Sequence, residues 1–253
     1  MTLLSLPTVT LCAAASVNVA ATIKALKRCL DLIDFADCLL FGVPKVSETD
    51  PRIRCIDIPV LESGADYSNF MLQGLLDYVT SSHALVIQWD GFVLDALRWD
   101  ERFLSYDYIG APWPQFRDGF DVGNGGFSIR SRRLMEACKD ARFVSQHPED
   151  VAICRTNRNL LEAKGIVFAE RPLAERFSFE RDHPSEPTFG FHGIFNMIPT
   201  LGADAFWEIY QSLDDRTTAA ADFRLLYRQL GTGAHAARRR AKLAADYLRG
   251  SGV

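Results

Sequence analysis

In the first hundred residues, the hydrophobic and polar positions predict short strands that alternate with helices. Short apolar runs with the pattern of buried strands lie at 8–16, 37–42, 53–59 and 83–93. Helices are predicted between them at 19–35, where apolar residues recur every three or four positions, and at 66–81. Strands that alternate with helices predict parallel pairing in a doubly wound sheet. Such sheets bind ligands at the carboxyl ends of their strands, where "ALVIQWDG" places Gln88 and Asp90.

The second half of the chain has a less regular pattern. Strands are predicted at 106–113, in "GGFSIRS" and at 166–170, and helices over "RLMEACK" and 148–165. From about residue 201 the sequence is helical and rich in alanine and arginine. We therefore predict an α/β domain over residues 1–200, followed by a helical extension over 201–253.

Composition and charge limit the classes of protein to which the chain can belong. The chain has 253 residues, 48% of them hydrophobic, and a net charge of −4, so the whole molecule is not built to hold nucleic acid. No apolar window of about 18 residues occurs, and the N-terminus lacks the basic region of a signal peptide. The six cysteines form no CxxC pair and lie mostly in apolar runs, so we expect reduced thiols in a cytoplasmic protein.

Asp90 is the first candidate for chemistry, because it follows a buried strand and precedes a glycine. An aspartate at such a position often caps a turn. It also suits the floor of a cleft, where oxygen ligands bind Mg²⁺ or Mn²⁺ together with phosphate oxygens.

The glycine-rich segment "VGNGGFSIRS" is the second candidate. It is not the dinucleotide fingerprint, since Ser128 stands where the third glycine belongs and the first strand–helix turn is far away. Two interpretations stay open: glycines at a hairpin or bulge, or a loop on whose backbone a flat ligand such as a sugar lies.

Two weaker candidates complete the set. In "HPEDV", Glu149 and Asp150 begin a helix whose dipole favours their ionised forms, so they are either caps or a general base. His192 in "FGFHGIF" is either a core histidine or a ligand that completes a metal shell.

These segments, in this order, resemble the core of the GT-A glycosyltransferases: "QWD", "GNGG", "PED" and His192. More narrowly, "LVIQWDGFV", "FLSYDYIGAPW", "VGNGGFSIRS" and "ERFSFE" are similar to a family of small GT-A-like glycosyltransferases, over about residues 5 to 200. The resemblance implies a Rossmann-like, mostly parallel sheet flanked by helices. It also implies a nucleotide-sugar site in the first half and an acceptor site in the second.

The resemblance further implies roles for individual residues. Asp90 and His192 would hold a divalent metal, Mn²⁺ or Mg²⁺, that bridges the donor diphosphate. Asp150 would be the base in a single displacement with inversion, and Glu149 would orient the acceptor or share that task. The donor sugar would lie on the loop of Gly123, Asn124, Gly125 and Gly126.

Other donor contacts follow from the same resemblance. Gln88 stands where the metal motif has an aspartate, which weakens metal binding or makes it dispensable, and its amide is expected on the ribose or a metal-bound water. Ser16, Tyr67 and Ser68 are expected at the nucleotide because of their strand-end and helix-start positions. Trp113 is either a wall for sugar stacking or a core residue.

The expected partners are a nucleotide-sugar, a UDP-sugar first among them, and a saccharide or lipid-linked acceptor, as in bacterial-type polysaccharide or glycoconjugate synthesis. The basic segment "HAARRRAKLAADYLRG" is either a solvated helix face or a peripheral contact with the inner face of the membrane. Two competing classes stay open: a nucleotide-sugar or carbohydrate-binding module without turnover, and a metal-dependent phosphohydrolase.

Overall fold

The computed structural model describes residues 3–42 and 50–250. The strands are β1 (Leu4–Ala14), β2 (Ile33–Phe41), β3 (Arg54–Ile56), β4 (His83–Ile87), β5 (Tyr108–Ile109), β6 (Phe127–Ser131), β7 (Ser178–Phe179) and β8 (Gly190–Phe191). The helices are α1 (Val19–Leu30), α2 (Gly64–Asn69), α3 (Arg132–Ala137), α4 (Glu149–Val151), α5 (Arg158–Ala163), α6 (Arg171–Phe177), α7 (Ile194–Leu201), α8 (Ala203–Gln211), α9 (Thr217–Ala221), α10 (Phe223–Gln229) and α11 (Ala236–Gly250). Shorter helical turns extend α2 and α4.

Six strands form one central sheet in the order β3-β2-β1-β4-β6-β5. The first four of these strands are parallel, whereas β6 runs antiparallel to both β4 and β5. The strands β7 and β8 form a separate parallel pair. The predicted α/β class, with a mainly parallel sheet between helices and a helical C-terminal region, is confirmed.

Alternate strand residues face opposite sides of the sheet and enter separate hydrophobic clusters. Leu11 and Leu85 belong to the larger cluster, while their neighbours Cys12 and Val86 belong to another. The larger cluster also contains Phe206 and Leu243 from the C-terminal helices. These helices therefore share a core with the sheet, and the predicted domain boundary at residue 200 falls inside α7.

Two predicted elements differ from the structure. The helix predicted at 19–35 ends at Leu30, and β2 begins at Ile33, because the apolar spacing of this stretch also fits a strand. The strand predicted at 166–170 forms only a single bridge, between Phe168 and Tyr108. The neighbouring Val167 N–H donates to the Asp107 carboxylate instead of a strand partner, which removes it from the ladder.

Two further observations on the described residues concern membrane-spanning helices and cysteines. No helix within 3–42 and 50–250 is long and apolar enough to cross a bilayer. All six cysteines are unpaired, and five of them are buried.

Candidate active site

The pairing of β4 with β6 brings two distant motifs together. Because the two strands are antiparallel, the last residue of β4, Ile87, lies opposite the first residue of β6, Phe127. Gln88 and Asp90 follow β4 directly, and the glycine loop directly precedes β6. The predicted position of Gln88 and Asp90 at a strand end is confirmed, and the same edge of the sheet carries the loop.

A cavity of about 370 Å³ opens at this edge. It is lined by nine of the residues singled out in the sequence: Tyr67, Gln88, Trp113, Asn124, Gly125, Gly126, Glu149, Asp150 and His192. The remaining lining residues are Gln115, Phe116, His147, Pro148, Val151 and Glu180. The structure thus gathers segments that span more than 120 residues of sequence into one concave site.

The glycines of the loop are required by side chains of the protein itself. A Cβ at Gly126 would overlap the imidazole of His192, and one at Gly125 would overlap the carboxylate of Glu149. A Cβ at Gly123 would overlap the indole of Trp113. The bare backbone is therefore explained by these three contacts, and a ligand lying on the loop stays a proposal.

Asn124 fixes the shape of the loop. Its φ of 63° lies in the left-handed region, which asparagine tolerates better than most residues. Its side-chain oxygen accepts from the Phe127 N–H at 3.2 Å, and the Tyr108 hydroxyl donates to its carbonyl at 3.1 Å. Its amide nitrogen lies 3.1 Å from His192 Nδ1, so the loop and the histidine are in close contact.

His192 lies between two carboxylates. Its Nδ1 is 3.3 Å from Glu180 Oε1, and its Nε2 is 3.5 Å from Asp90 Oδ1 and 3.1 Å from Gln88 Oε1. Burial alone would lower the pKa of His192, but the charges of Asp90 and Glu180 outweigh it and raise the pKa to about 10. The imidazolium therefore balances the two carboxylates.

The atoms around His192 Nε2 fit a divalent cation. Asp90 Oδ1 is buried without a hydrogen-bond partner, and Gln88 supplies a second oxygen. Two ligands of one Mg²⁺ at about 2.1 Å each lie about 3 Å apart in an octahedral shell, close to the separations seen here. Within the described part of the chain, no group of three or more His, Cys, Asp or Glu could hold a metal ion.

Asp150 faces the glycine loop. Its Oδ2 accepts from the Gly125 N–H at 3.0 Å, and its Oδ1 accepts from the Val151 N–H at 2.7 Å. Burial and the neighbouring charge of Glu149 raise the pKa of Asp150 above its usual value. The helix dipole was expected to favour the ionised form of this carboxyl, but burial acts in the opposite direction and has the largest influence on its pKa.

Glu149 points away from Asp150 into the protein. Its Oε1 forms a buried ion pair with Arg130 Nη2 at 3.0 Å, and its Oε2 accepts from the Ser68 hydroxyl at 3.2 Å. The N-cap of α4 is Pro148, and no side chain caps this helix. Both carboxylates therefore have partners outside the helix that they begin, which is more than helix capping requires.

Four of the predicted residues lie outside the cavity lining. Ser68 and Asp90 lie behind it, in contact with Glu149 and His192 respectively. Gly123 packs under Trp113, which is itself buried. The hydroxyl of Ser16 accepts from the Leu61 N–H at 2.8 Å, at the carboxyl end of β1.

Arg130 and Glu180 contact predicted site residues and were missed from the sequence. Arg130 is 1% exposed in the middle of β6, and a charged residue within the apolar run "FSIRS" was the available signal. Glu180 ends the segment "ERFSFE", but nothing in its local pattern indicates that its carboxylate reaches His192. That contact depends on where β7 and β8 bring the chain.

A comparison with protein families matches residues 50–192, more than half of the chain, to the family described as "Protein of unknown function (DUF5672)". The chain belongs to this family. The match extends from just before β3 to His192 and includes all of the cavity lining. A search of curated proteins gives no match.

Several solved structures resemble the chain at low identity. One is a glycosyltransferase involved in the glycosylation of the major capsid of PBCV-1, with 12% identity and a TM-score of 0.43, and the alignment covers 81% of this chain and 100% of that one. Another is the apo form of the glycosyltransferase GlyE of Streptococcus pneumoniae TIGR4, with 16% identity, a TM-score of 0.43 and coverage of 88% of this chain and 64% of GlyE. Both TM-scores are below 0.5, so these likenesses give no information about the activity of this chain.

Proposed function

We propose that this protein is a glycosyltransferase that moves a sugar from a nucleotide-sugar donor to a hydroxyl of a saccharide or glycolipid acceptor. The observation that carries the proposal is the cavity in which the glycine loop, the half-buried Asp150 and His192 meet, with Asp90 behind His192. A general base must lie near the reacting atoms, and an anionic leaving group needs positive charge nearby. Both requirements are met across one cavity.

The donor side of the cavity is formed by Gln88, Asn124 and His192. His192 presents a cation at the mouth of this region, since its pKa is raised to about 10. Gln88 and Asn124 add hydrogen-bonding amides beside it. These groups suit a diphosphate and the polar sugar attached to it.

A divalent cation, Mn²⁺ or Mg²⁺, would be held by Asp90 and His192, with Gln88 beside them, and would offset the charge of the departing diphosphate. The oxygen of Asp90 that lacks a hydrogen-bond partner supports this assignment. A cation at these atoms would displace the proton of His192, because a metal ligand must be the neutral imidazole.

The acceptor side is assigned to Asp150. Its carboxylate removes the proton of the acceptor hydroxyl while that oxygen forms a bond to the anomeric carbon. The bond from this carbon to the diphosphate oxygen breaks on the opposite face, so the configuration inverts. The raised pKa of Asp150 supports the role, because a carboxylate with a higher pKa is a stronger base. Trp113 borders this region and offers an aromatic face.

The proposed donor is a UDP-sugar first among nucleotide-sugars, and the proposed location is the cytoplasm or the inner face of a membrane.

To test the function, the protein is incubated with UDP-, GDP-, CMP- and dTDP-sugars and Mn²⁺, and the released products are identified. A glycosyltransferase slowly hydrolyses one donor in preference to the others and releases the intact nucleotide and the sugar. Tight binding without release indicates a binding module, and release of inorganic phosphate indicates a phosphohydrolase. Either result rejects the proposal.

A further inference from the structure

Arg130 is a buried cation whose side-chain hydrogen bonds lead to the glycine loop and to Glu149. Its Nη2 donates to Glu149 Oε1 at 3.0 Å and to the Gly125 carbonyl at 3.3 Å. Its Nε donates to the Ser128 hydroxyl at 3.1 Å, and that hydroxyl donates to the Gly125 carbonyl at 3.2 Å. Burying an arginine costs desolvation free energy. The ion pair and hydrogen bonds around Arg130 must offset this cost, or the arrangement must serve a function.

Gly125 is held from both sides. Arg130 and Ser128 hold its carbonyl, whereas Asp150 accepts from its N–H at 3.0 Å. Since Glu149 and Asp150 are adjacent, one dipeptide reaches the loop by two routes: directly through Asp150, and through Arg130 from Glu149. The position of the Asp150 carboxylate is therefore coupled to the ion pair behind it.

Both oxygens of Glu149 have partners inside the protein. Oε1 accepts from Arg130, Oε2 accepts from Ser68, and the side chain is only 6% exposed. The Asp150 carboxylate, by contrast, accepts only from two backbone N–H groups, and the residue is half-buried. Of the two neighbours, Glu149 is thus the one enclosed by side chains of the protein.

We propose that Arg130 and Glu149 are a positioning pair that holds Asp150 against the Gly125 peptide, and that Glu149 does not contact the acceptor. The inference rests on the proposed function for the role of Asp150 as base. It replaces the expectation that Glu149 orients the acceptor.

The pair also sets the charge that Asp150 experiences. The titratable and charged groups that face Asp150 from the surrounding elements are Glu149, Arg130, Tyr67, Tyr108 and Cys154. Burial raises the pKa of Asp150 most, the negative charge of Glu149 raises it further, and Arg130 lowers it. Loss of the pair would change the pKa of Asp150 in two opposite ways, since removing the charge of Glu149 lowers it and weakening the Gly125 N–H bond raises it.

The first test is amide hydrogen exchange at Gly125 in Glu149→Gln. The expected result is exchange about tenfold faster or more than in the wild type, because the ion pair that holds the loop is lost. The matched control is Glu136→Gln, which removes the carboxylate of an exposed arginine pair on α3 and should leave this exchange unchanged. Unchanged exchange at Gly125 in Glu149→Gln overturns the proposal.

A second variant tests the geometry and does not leave a buried charge unpaired. In the double variant Arg130→Met, Glu149→Gln, the Gly125 N–H should exchange with solvent about tenfold faster or more, because the loop loses its hold. The control is Arg132→Met, Glu136→Gln on the surface of α3, in which this exchange should not change. If Glu149→Gln alone does not fold, the double variant carries the test by itself. Unchanged exchange at Gly125 contradicts the proposal.

Neither measurement uses a donor or an acceptor. A protein that transfers no sugar still gives both results, so failure of the positioning pair and failure of the proposed function are distinguishable.

Discussion

Glu149 and Asp150 are neighbours in the sequence and differ in every contact that matters for chemistry. Asp150 faces the loop and the cavity and accepts two backbone N–H groups, while Glu149 is held by Arg130 and Ser68. Burial and the charge of Glu149 raise the pKa of Asp150, whereas Glu149 is held in an ion pair by Arg130. This asymmetry assigns the base to Asp150.

Replacing Asp150 by asparagine removes the base and keeps the shape of the side chain. We expect Asp150→Asn to reduce transfer to the acceptor by about 10² to 10⁴, the range for loss of a general base. Donor binding should hardly change, since the hydrogen bonds of the Asp150 carboxylate are to Gly125 and Val151 and not to Gln88, Asn124 or His192. Steady-state kinetics with a calorimetric measurement of nucleoside diphosphate affinity check this, and a variant with normal turnover means that another residue is the base.

The pH dependence of stability follows from the same carboxyl. The pKa of Asp150 is higher in the folded protein than in the unfolded chain, so the folded state holds this proton more tightly. Its stabilising contribution is complete below the unfolded pKa and is lost as the pH rises through the folded pKa. At neutral pH, Asp150→Asn should therefore not lower the melting temperature. A loss of about 1 kcal/mol would instead indicate a helix cap.

Gly126 tests whether the loop must approach His192 closely. In Gly126→Ala the new methyl group would overlap the imidazole, so His192 must move away from Asp90 and Gln88. We expect a lower melting temperature and at least a tenfold loss of Mn²⁺ affinity, the scale for disturbing a ligand's orientation. Gly250→Ala is the control, because a Cβ there meets no atom within 4 Å. Equal behaviour of the two variants would contradict the described contact.

At this scale the sequence predicts residue types better than it predicts contacts. Asp90, His192 and Asp150 were identified because each stands next to a glycine or at an element end. Arg130 and Glu180 were not, because their roles depend on partners 19 and 12 residues away that only the folded chain brings near. The glycines were found, but the reason for them is a histidine, a glutamate and a tryptophan.

Among the elements, β6 contributes most to the site. It is the strand that runs against the parallel direction, and it thereby places the glycine loop beside the end of β4. The sequence predicted this strand from "GGFSIRS", but an alternating pattern does not show the direction of a strand. The strand predicted at 166–170 forms no ladder, because the Asp107 carboxylate accepts the backbone N–H of Val167. A sequence pattern does not show such a side-chain partner either.

The C-terminal helix α11 has most of its basic residues paired with other groups of the chain, and one of them, Arg239, is buried. Arg239 is buried and pairs with Asp204, Lys242 pairs with Asp246, and Arg240 donates to backbone carbonyls of α10. A helix that binds anionic lipid keeps its basic side chains free. The structure thus offers α11 an alternative role as part of the core.

Substitutions of two leucines in α11 distinguish a role in the core from a role in membrane binding. Leu243 is 2% exposed, whereas Leu248 is 70% exposed. We expect Leu243→Ala to lower the free energy of unfolding by about 2–5 kcal/mol and Leu248→Ala to leave it nearly unchanged. Chemical denaturation measures both. If Leu248→Ala alone reduces binding to vesicles that contain anionic lipid, α11 also contacts membranes.

For the whole molecule, the account requires that diphosphate and cation bind together. Nucleoside diphosphate should raise the melting temperature, by an amount that reflects roughly 2.7 kcal/mol at 100 times its dissociation constant, and Mn²⁺ should raise it further. In Asp90→Asn the increment from Mn²⁺ should disappear while that from the nucleotide remains. An increment from Mn²⁺ that survives in this variant would place the cation elsewhere.

The central claim is that one cavity holds the donor between Asp90 and His192 on one side and Asp150 on the other. The most direct measurement is a crystal structure with Mn²⁺ and the nucleoside diphosphate that gives the largest thermal shift, recorded with the anomalous signal of manganese. The account predicts an anomalous peak within ligand distance of Asp90 Oδ1 and His192 Nε2, with diphosphate density in the same cavity. A peak away from these atoms, or a nucleotide bound outside the cavity, would contradict it.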